Sequence, residues 1–119
     1  MSDSQPSLGN IQIAGSAIAS IASHAVLSSY GVVGMAAKNV VDGIANALTR
    51  DPHKGIEVTI SPENTVVIDV YVIMEYGTNL AQVARSLSNA VRYQVEQATE
   101  LTVEHVHVHV HGLRVSNSD

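Results

Sequence analysis

Residues 104–111 read Glu-His-Val-His-Val-His-Val-His and are followed at once by Gly112. Successive side chains of a β-strand point to opposite faces. The segment therefore sends Val106, Val108 and Val110 to one side of a sheet and His105, His107, His109 and His111 to the other. The valine side says where the core lies. The histidine side supports two readings: a surface that meets metal ions or protons, or a solvated polar face.

The core has to be assembled from aliphatic pieces. The 119 residues are 45% hydrophobic but include no Trp, no Phe and only four Tyr. Val, Ile, Leu and Ala therefore do the packing, and a ligand pocket with stacking walls is not expected. The length fits a single domain. Ile11, Ala14, Ile18, Ile21, Ala22 and Ala25 follow helical spacing and predict a first helix over about residues 11–28, stopped near Tyr30 and Gly31. Ala37, Val40, Val41, Ile44 and Leu48 predict a second helix, weakened by Gly43, which the Asp51-Pro52-His53-Lys54-Gly55 segment interrupts.

The period then changes. Ile56, Val58 and Ile60 alternate with Glu57, Thr59 and Ser61, and Pro62, Glu63 and Asn64 turn the chain into a second strand over residues 66–74. That strand puts Val66, Ile68, Val70, Val72 and Met74 on one face and Asp69, Tyr71, Ile73 and Glu75 on the other. A third helix, capped by Thr78 or Asn79, carries the stripe Leu80, Val83, Ala84, Leu87, Val91, Val95 and Ala98 and ends near Thr99, feeding the histidine strand. The order α-α-β-β-α-β predicts a two-layer α+β domain over residues 11–115, its helices packed on one face of a three-stranded sheet. The strand-helix-strand crossover is expected to be right-handed, and residues 1–10 and 116–119 to be flexible tails.

Charge and motif narrow the chemistry. Six Lys and Arg stand against eleven Asp and Glu, a formal net charge of −5, and the basic residues are scattered. Neither nucleic acid nor an anionic membrane surface is attracted by such a chain. With no cysteine there is no disulfide, thiol catalysis or thiolate metal site. The first residues lack a basic n-region, and no apolar run approaches the roughly 20 residues of a spanning helix, so the expectation is a cytoplasmic protein without direct membrane insertion. No serine sits in Gly-x-Ser-x-Gly, Ser86 and Ser88 have no base at a motif spacing, and Gly31-Val-Val-Gly34 lacks the lysine of a phosphate loop. Asp69 and Glu75 read as ordinary solvent-face acids. No catalytic or cofactor-binding residue is assigned, and no enzyme signature is found.

The candidate metal residues are His105, His107, His109 and His111. Same-face neighbours on a strand lie about 6.8 Å apart, so His-x-His can chelate, and Asp69 or Glu57 on adjacent strands can add a carboxylate for zinc, nickel or copper. The same imidazoles titrate near pH ~6.5, which makes the ladder a candidate pH sensor as well. An open sheet face that simply needs polar residues accounts for the ladder without either role.

The run Glu75-Tyr76-Gly77-Thr78-Asn79-Leu80-Ala81-Gln82-Val83-Ala84, the closing Val-x-Val-His-Val-x-Gly strand, the Gly31-Val-Val-Gly-Met35 segment and Lys54-Gly55-Ile56-Glu57-Val58 together resemble the bacterial alkaline shock protein family, linked to envelope stress. The likeness covers about residues 11–115. It implies a small, abundant, non-enzymatic cytoplasmic protein that forms a homo-oligomer and is held near the membrane by a separate, membrane-anchored protein partner. Two features depart from the family pattern: four histidines on the last strand, and no long charged extension. Beside the resemblance, Glu75, Tyr76, Gly77 and Asn79 have a structural reading. Gly77 turns the chain sharply, Glu75 or Tyr76 closes the corner, and a cap at Thr78 or Asn79 satisfies free helix amides.

Overall fold

The valine and histidine segment is a strand, β4 (Thr102–Arg114), lying parallel to a central strand, β3 (Thr65–Glu75). The computed structural model describes residues 8–37, 48–49 and 51–115. The remaining elements are α1 (Leu8–Leu27), β1 (Val32–Met35), a 3₁₀ turn (Pro52–Gly55), β2 (Ile56–Ile60) and α2 (Leu80–Thr99). β2 runs antiparallel to the first half of β3, with Val58 opposite Ile68. β1 runs antiparallel to its end, with Val32 opposite Met74 and Met35 opposite Val72. β1 and β2 thus share one edge of β3, and β4 takes the other, as a parallel strand reached through α2 should.

The α+β class and the packing of helices on one sheet face match the sequence expectation. The sheet has four strands rather than three, because residues 32–35 pair instead of forming a loop. Two adjacent valines followed by Gly34 offer no alternation to read, and what makes the segment a strand is its distant partner on β3. Most of the expected second helix, residues 38–47, lies outside the described residues. At its end, Leu48 forms an antiparallel bridge with Ala36, and Thr49 N donates to Met35 O at 2.9 Å.

Binary patterning explains the core. The helix-facing row of β3, Val66, Ile68, Val70, Val72 and Met74, is fully buried against Val83, Leu87, Val91 and Val95 of α2. Val106 and Val108 of β4 pack at its margin. Ala98, expected in the α2 stripe, is exposed. α1 contributes Ile18, Ala19, Ala22, Ala25 and Val26, a face of mostly small residues. The side chains of Ile11 and Ala14 lie outside the described residues.

Local chemistry sets the boundaries. Asn79 is the N-cap of α2, its side chain accepting from Gln82 N at 3.1 Å, and Glu100 closes the helix in the left-handed region at φ 64°. Asn64, also at φ 64°, turns β2 into β3, with Ser61 Oγ and Thr65 Oγ1 2.6 Å apart across the turn. Among the described residues, no helix is long and apolar enough to cross a membrane.

Candidate functional site

The register of β3 and β4 assembles the outer face. Val67 lies beside His105, Asp69 beside His107 and Tyr71 beside His109. On the other side of β3, Glu57 lies opposite Asp69. The alternation that turns the β3 valines Val66, Val70 and Val72 inward therefore lines up three histidines with the outward row Val67, Asp69 and Tyr71. The fourth does not join them in register. β4 holds one extra residue between Val66 and Val67 of its partner, Glu104, and another between Val72 and Ile73, His111, so both sit at bulges.

The side chains form one connected cluster. His109 Nε2 and Asp69 Oδ1 are 2.9 Å apart, the imidazole of His109 stacks on the Tyr71 ring at 4.4 Å between centroids, and His111 meets the same ring edge-on at 5.1 Å. His105 and His107 stack at 5.5 Å, and His107 and His109 stand 6.5 Å apart. His105 and His107 are exposed, while His109 and His111 are half-buried. His111 Nδ1 is buried without a hydrogen-bond partner. Of the two carboxylates expected near the ladder, Asp69 is in contact with it. Among the described residues, no three His, Asp or Glu side chains of a single chain converge in metal-binding geometry.

Tyr71 is the group whose acidity the cluster perturbs. Burial first, then the negative charges of Asp69 and Glu57, push its phenol above the ordinary value of 10.0. A raised folded-state value means that the neutral phenol is favoured in the fold. The stability it brings is complete below pH ~10 and is lost as pH rises through the higher folded value. A phenolate absorbance titration of the parent minus Tyr71→Phe should give a midpoint above that of the unfolded chain. A difference midpoint at or below 10 would show that neither burial nor the carboxylates act on this ring.

The corner after β3 is held by main chain. Glu75 N donates to Gly31 O and Tyr76 N to Arg114 O, each at 2.9 Å, and Thr78 Oγ1 donates to Glu75 O at 2.8 Å. Gly77 follows at φ 96°. The corner thus ties the ends of β3 and β4 to the segment before β1, and the Tyr76 ring projects into solvent. Glu75, Tyr76, Gly77 and Asn79 act here as a joint.

One arrangement went unread in the sequence. Glu96 accepts from Val103 N at 2.8 Å, and Arg92 Nη1 donates to Val103 O, so α2 takes both main-chain groups of the second residue of β4. The readable signal is a cation and an anion four apart, flanking the apolar stripe of α2. From Glu104 to Leu113, among the described residues, no strand pairs with the outer edge of β4.

The model of the alkaline shock protein 23 family, described by a cell envelope-related function, matches residues 3–115. The chain belongs to the alkaline shock protein 23 family. Among its relatives, the uncharacterized protein YloU of Bacillus subtilis (strain 168) is 38% identical over 111 residues, 92% of each chain. The uncharacterized protein Spy1614 of Streptococcus pyogenes is 28% identical over 108 residues, 90% of this chain and 89% of its own. A second Bacillus subtilis protein, the uncharacterized YqhY, is 28% identical over 108 residues, 90% of this chain and 78% of its own. No solved structure matches the chain. The family description speaks of the envelope and names no catalytic activity.

Proposed function

We propose that this alkaline shock family member is a non-catalytic structural protein of the cell envelope that acts by self-association and is linked to the membrane by a membrane-anchored protein partner. The envelope-related description of the family supports the place of action. The observation that carries self-association is the outer edge of β4. It is a 13-residue strand clamped by α2 at Val103, and from Glu104 to Leu113 its outer edge has, among the described residues, no partner strand.

Soluble proteins blunt such edges with lysine, proline, bulges, a covering element or short length. β4 has no lysine or proline, and its clamp at Val103 and bulges at Glu104 and His111 leave the run from His105 to Val110 regular. Its margin also exposes Val110 and Leu113. An added strand would satisfy the free amides and carbonyls and cover those side chains together.

Sedimentation equilibrium of the full chain at roughly tens of micromolar should show a dimer or larger species. Val110→Lys sets a charge on the edge at a side chain already 39% exposed, and should shift the population to monomer with an unchanged circular dichroism spectrum. A parent that is monomeric with and without added metal would remove the reading. A second reading, divalent metal binding at the ladder, is favoured by the Asp69–His109 contact and is developed next.

A further inference from the structure

We propose that two copies pair antiparallel through the free edge of β4, centred on Val108, and that the merged histidine ladders bind one divalent transition-metal ion, zinc or nickel, between His107 and His109 of both chains. This rests on the self-association reading above and adds what the interface holds.

Symmetry selects a second copy as the occupant. Edge-to-edge antiparallel pairing of identical strands places a two-fold axis perpendicular to the sheet, which keeps the two faces distinct. Residues directly opposite each other share a face, so histidines meet histidines and valines meet valines. Centring on Val108 uses the regular stretch of β4 between the bulges at Glu104 and His111. Val106 then faces the partner's Val110, and each helix layer lies on the same side, continuing the apolar row.

The same register builds the site. His107 stands opposite the partner's His109, and His109 opposite the partner's His107. Four imidazoles occupy the corners of a rectangle about 6.8 Å along the strands and about 5 Å across them. Each Cβ is then about 4 Å from the axis, a span an imidazole can bridge to an ion on that axis. A single chain supplies two of the four ligands, in keeping with the absence of a three-ligand cluster among its described residues. Asp69 supplies the orienting contact that metal-bound histidines usually have. With His109 Nε2 held at 2.9 Å from its carboxylate, the ring presents Nδ1 as the coordinating atom. The stack against Tyr71 fixes the ring plane. Neutral nitrogen ligands suit zinc and nickel.

The test uses the full-length chain stripped with chelator, with zinc sulfate as the probe. Isothermal titration should give one zinc per two chains. Saturating zinc should tighten the dimer dissociation constant at least about tenfold in sedimentation, because the ion binds the paired state and not the separated one. The double variant His107→Thr, His109→Thr should keep the metal-free association of the parent and lose both the zinc heat and the tightening, since threonine suits a half-exposed strand. Val110→Lys, monomeric by design, should lose the zinc site although all four histidines remain. Zinc bound to that monomer with parental affinity would overturn the shared site. A parent dimer whose dissociation constant ignores zinc would overturn the metal and leave self-association standing. A parent monomeric with and without zinc would remove both.

Discussion

Leu87→Ala should lower the stability of the chain by about 2–5 kcal/mol, the range for a core leucine truncated to alanine. Leu87 is 0% exposed, in the middle of the α2 stripe, between Val83 and Val91 and facing the fully buried row of β3. Its neighbours are β-branched side chains on a pleated sheet, which are stiff and fill a vacated volume poorly. The core has no large aromatic ring to swing into the gap. Thermal unfolding should drop by on the order of 10 °C for a domain of this size. Tyr93→Ala, on the same helix at a residue 66% exposed, should change stability by no more than about 0.5 kcal/mol. Equal midpoints for the two variants would mean that α2 buries a different face.

That stripe is also where the sequence was most legible, and the reason is physical. α2 and β3 are half-buried elements whose apolar period agrees with their geometry, so Val83, Leu87, Val91, Val95 and the even-numbered row of β3 could be read without knowing their partners. β1 could not be read, because four residues with a glycine in third place carry no period and owe their conformation to Met74 and Val72, about 40 positions away. The same division runs through the site. Parity alone put Asp69, Tyr71 and the histidines on one face. Which histidine touches Asp69 depended on the bulge at Glu104, and the loss of register at His111 depended on the second bulge, neither of which leaves a trace in alternation. The main-chain clamp on Val103 was invisible for a related reason. Its meaning lies in the free amide and carbonyl it covers, and these appear only once β4 is known to be an edge.

Gly31→Ala should cost about 2–5 kcal/mol, because it combines two penalties usually met apart. Gly31 sits at φ 89°, a conformation that disfavours any side chain by about 1–2 kcal/mol. A Cβ there would also lie 2.8 Å from Val83 Cγ2 and 3.1 Å from Cγ1, an overlap of the kind that costs about 1–3 kcal/mol. Neither side can move freely. Gly31 O accepts from Glu75 N at 2.9 Å, which pins the loop to the end of β3, and Val83 is wedged in the α2 stripe at 6% exposure. Gly77 separates the two penalties, since its φ is 96° but a Cβ there would meet nothing within 4 Å. Gly77→Ala should therefore cost only the conformational part, about 1–2 kcal/mol. Truncating the obstacle should act on Gly31 alone. In a Val83→Ala background, Gly31→Ala should fall to the Gly77→Ala value, giving a coupling energy on the order of 1–3 kcal/mol between positions 31 and 83. Denaturant unfolding of the single and double variants measures this directly, and strictly additive losses would place the whole penalty in the backbone of the corner rather than in its packing on α2.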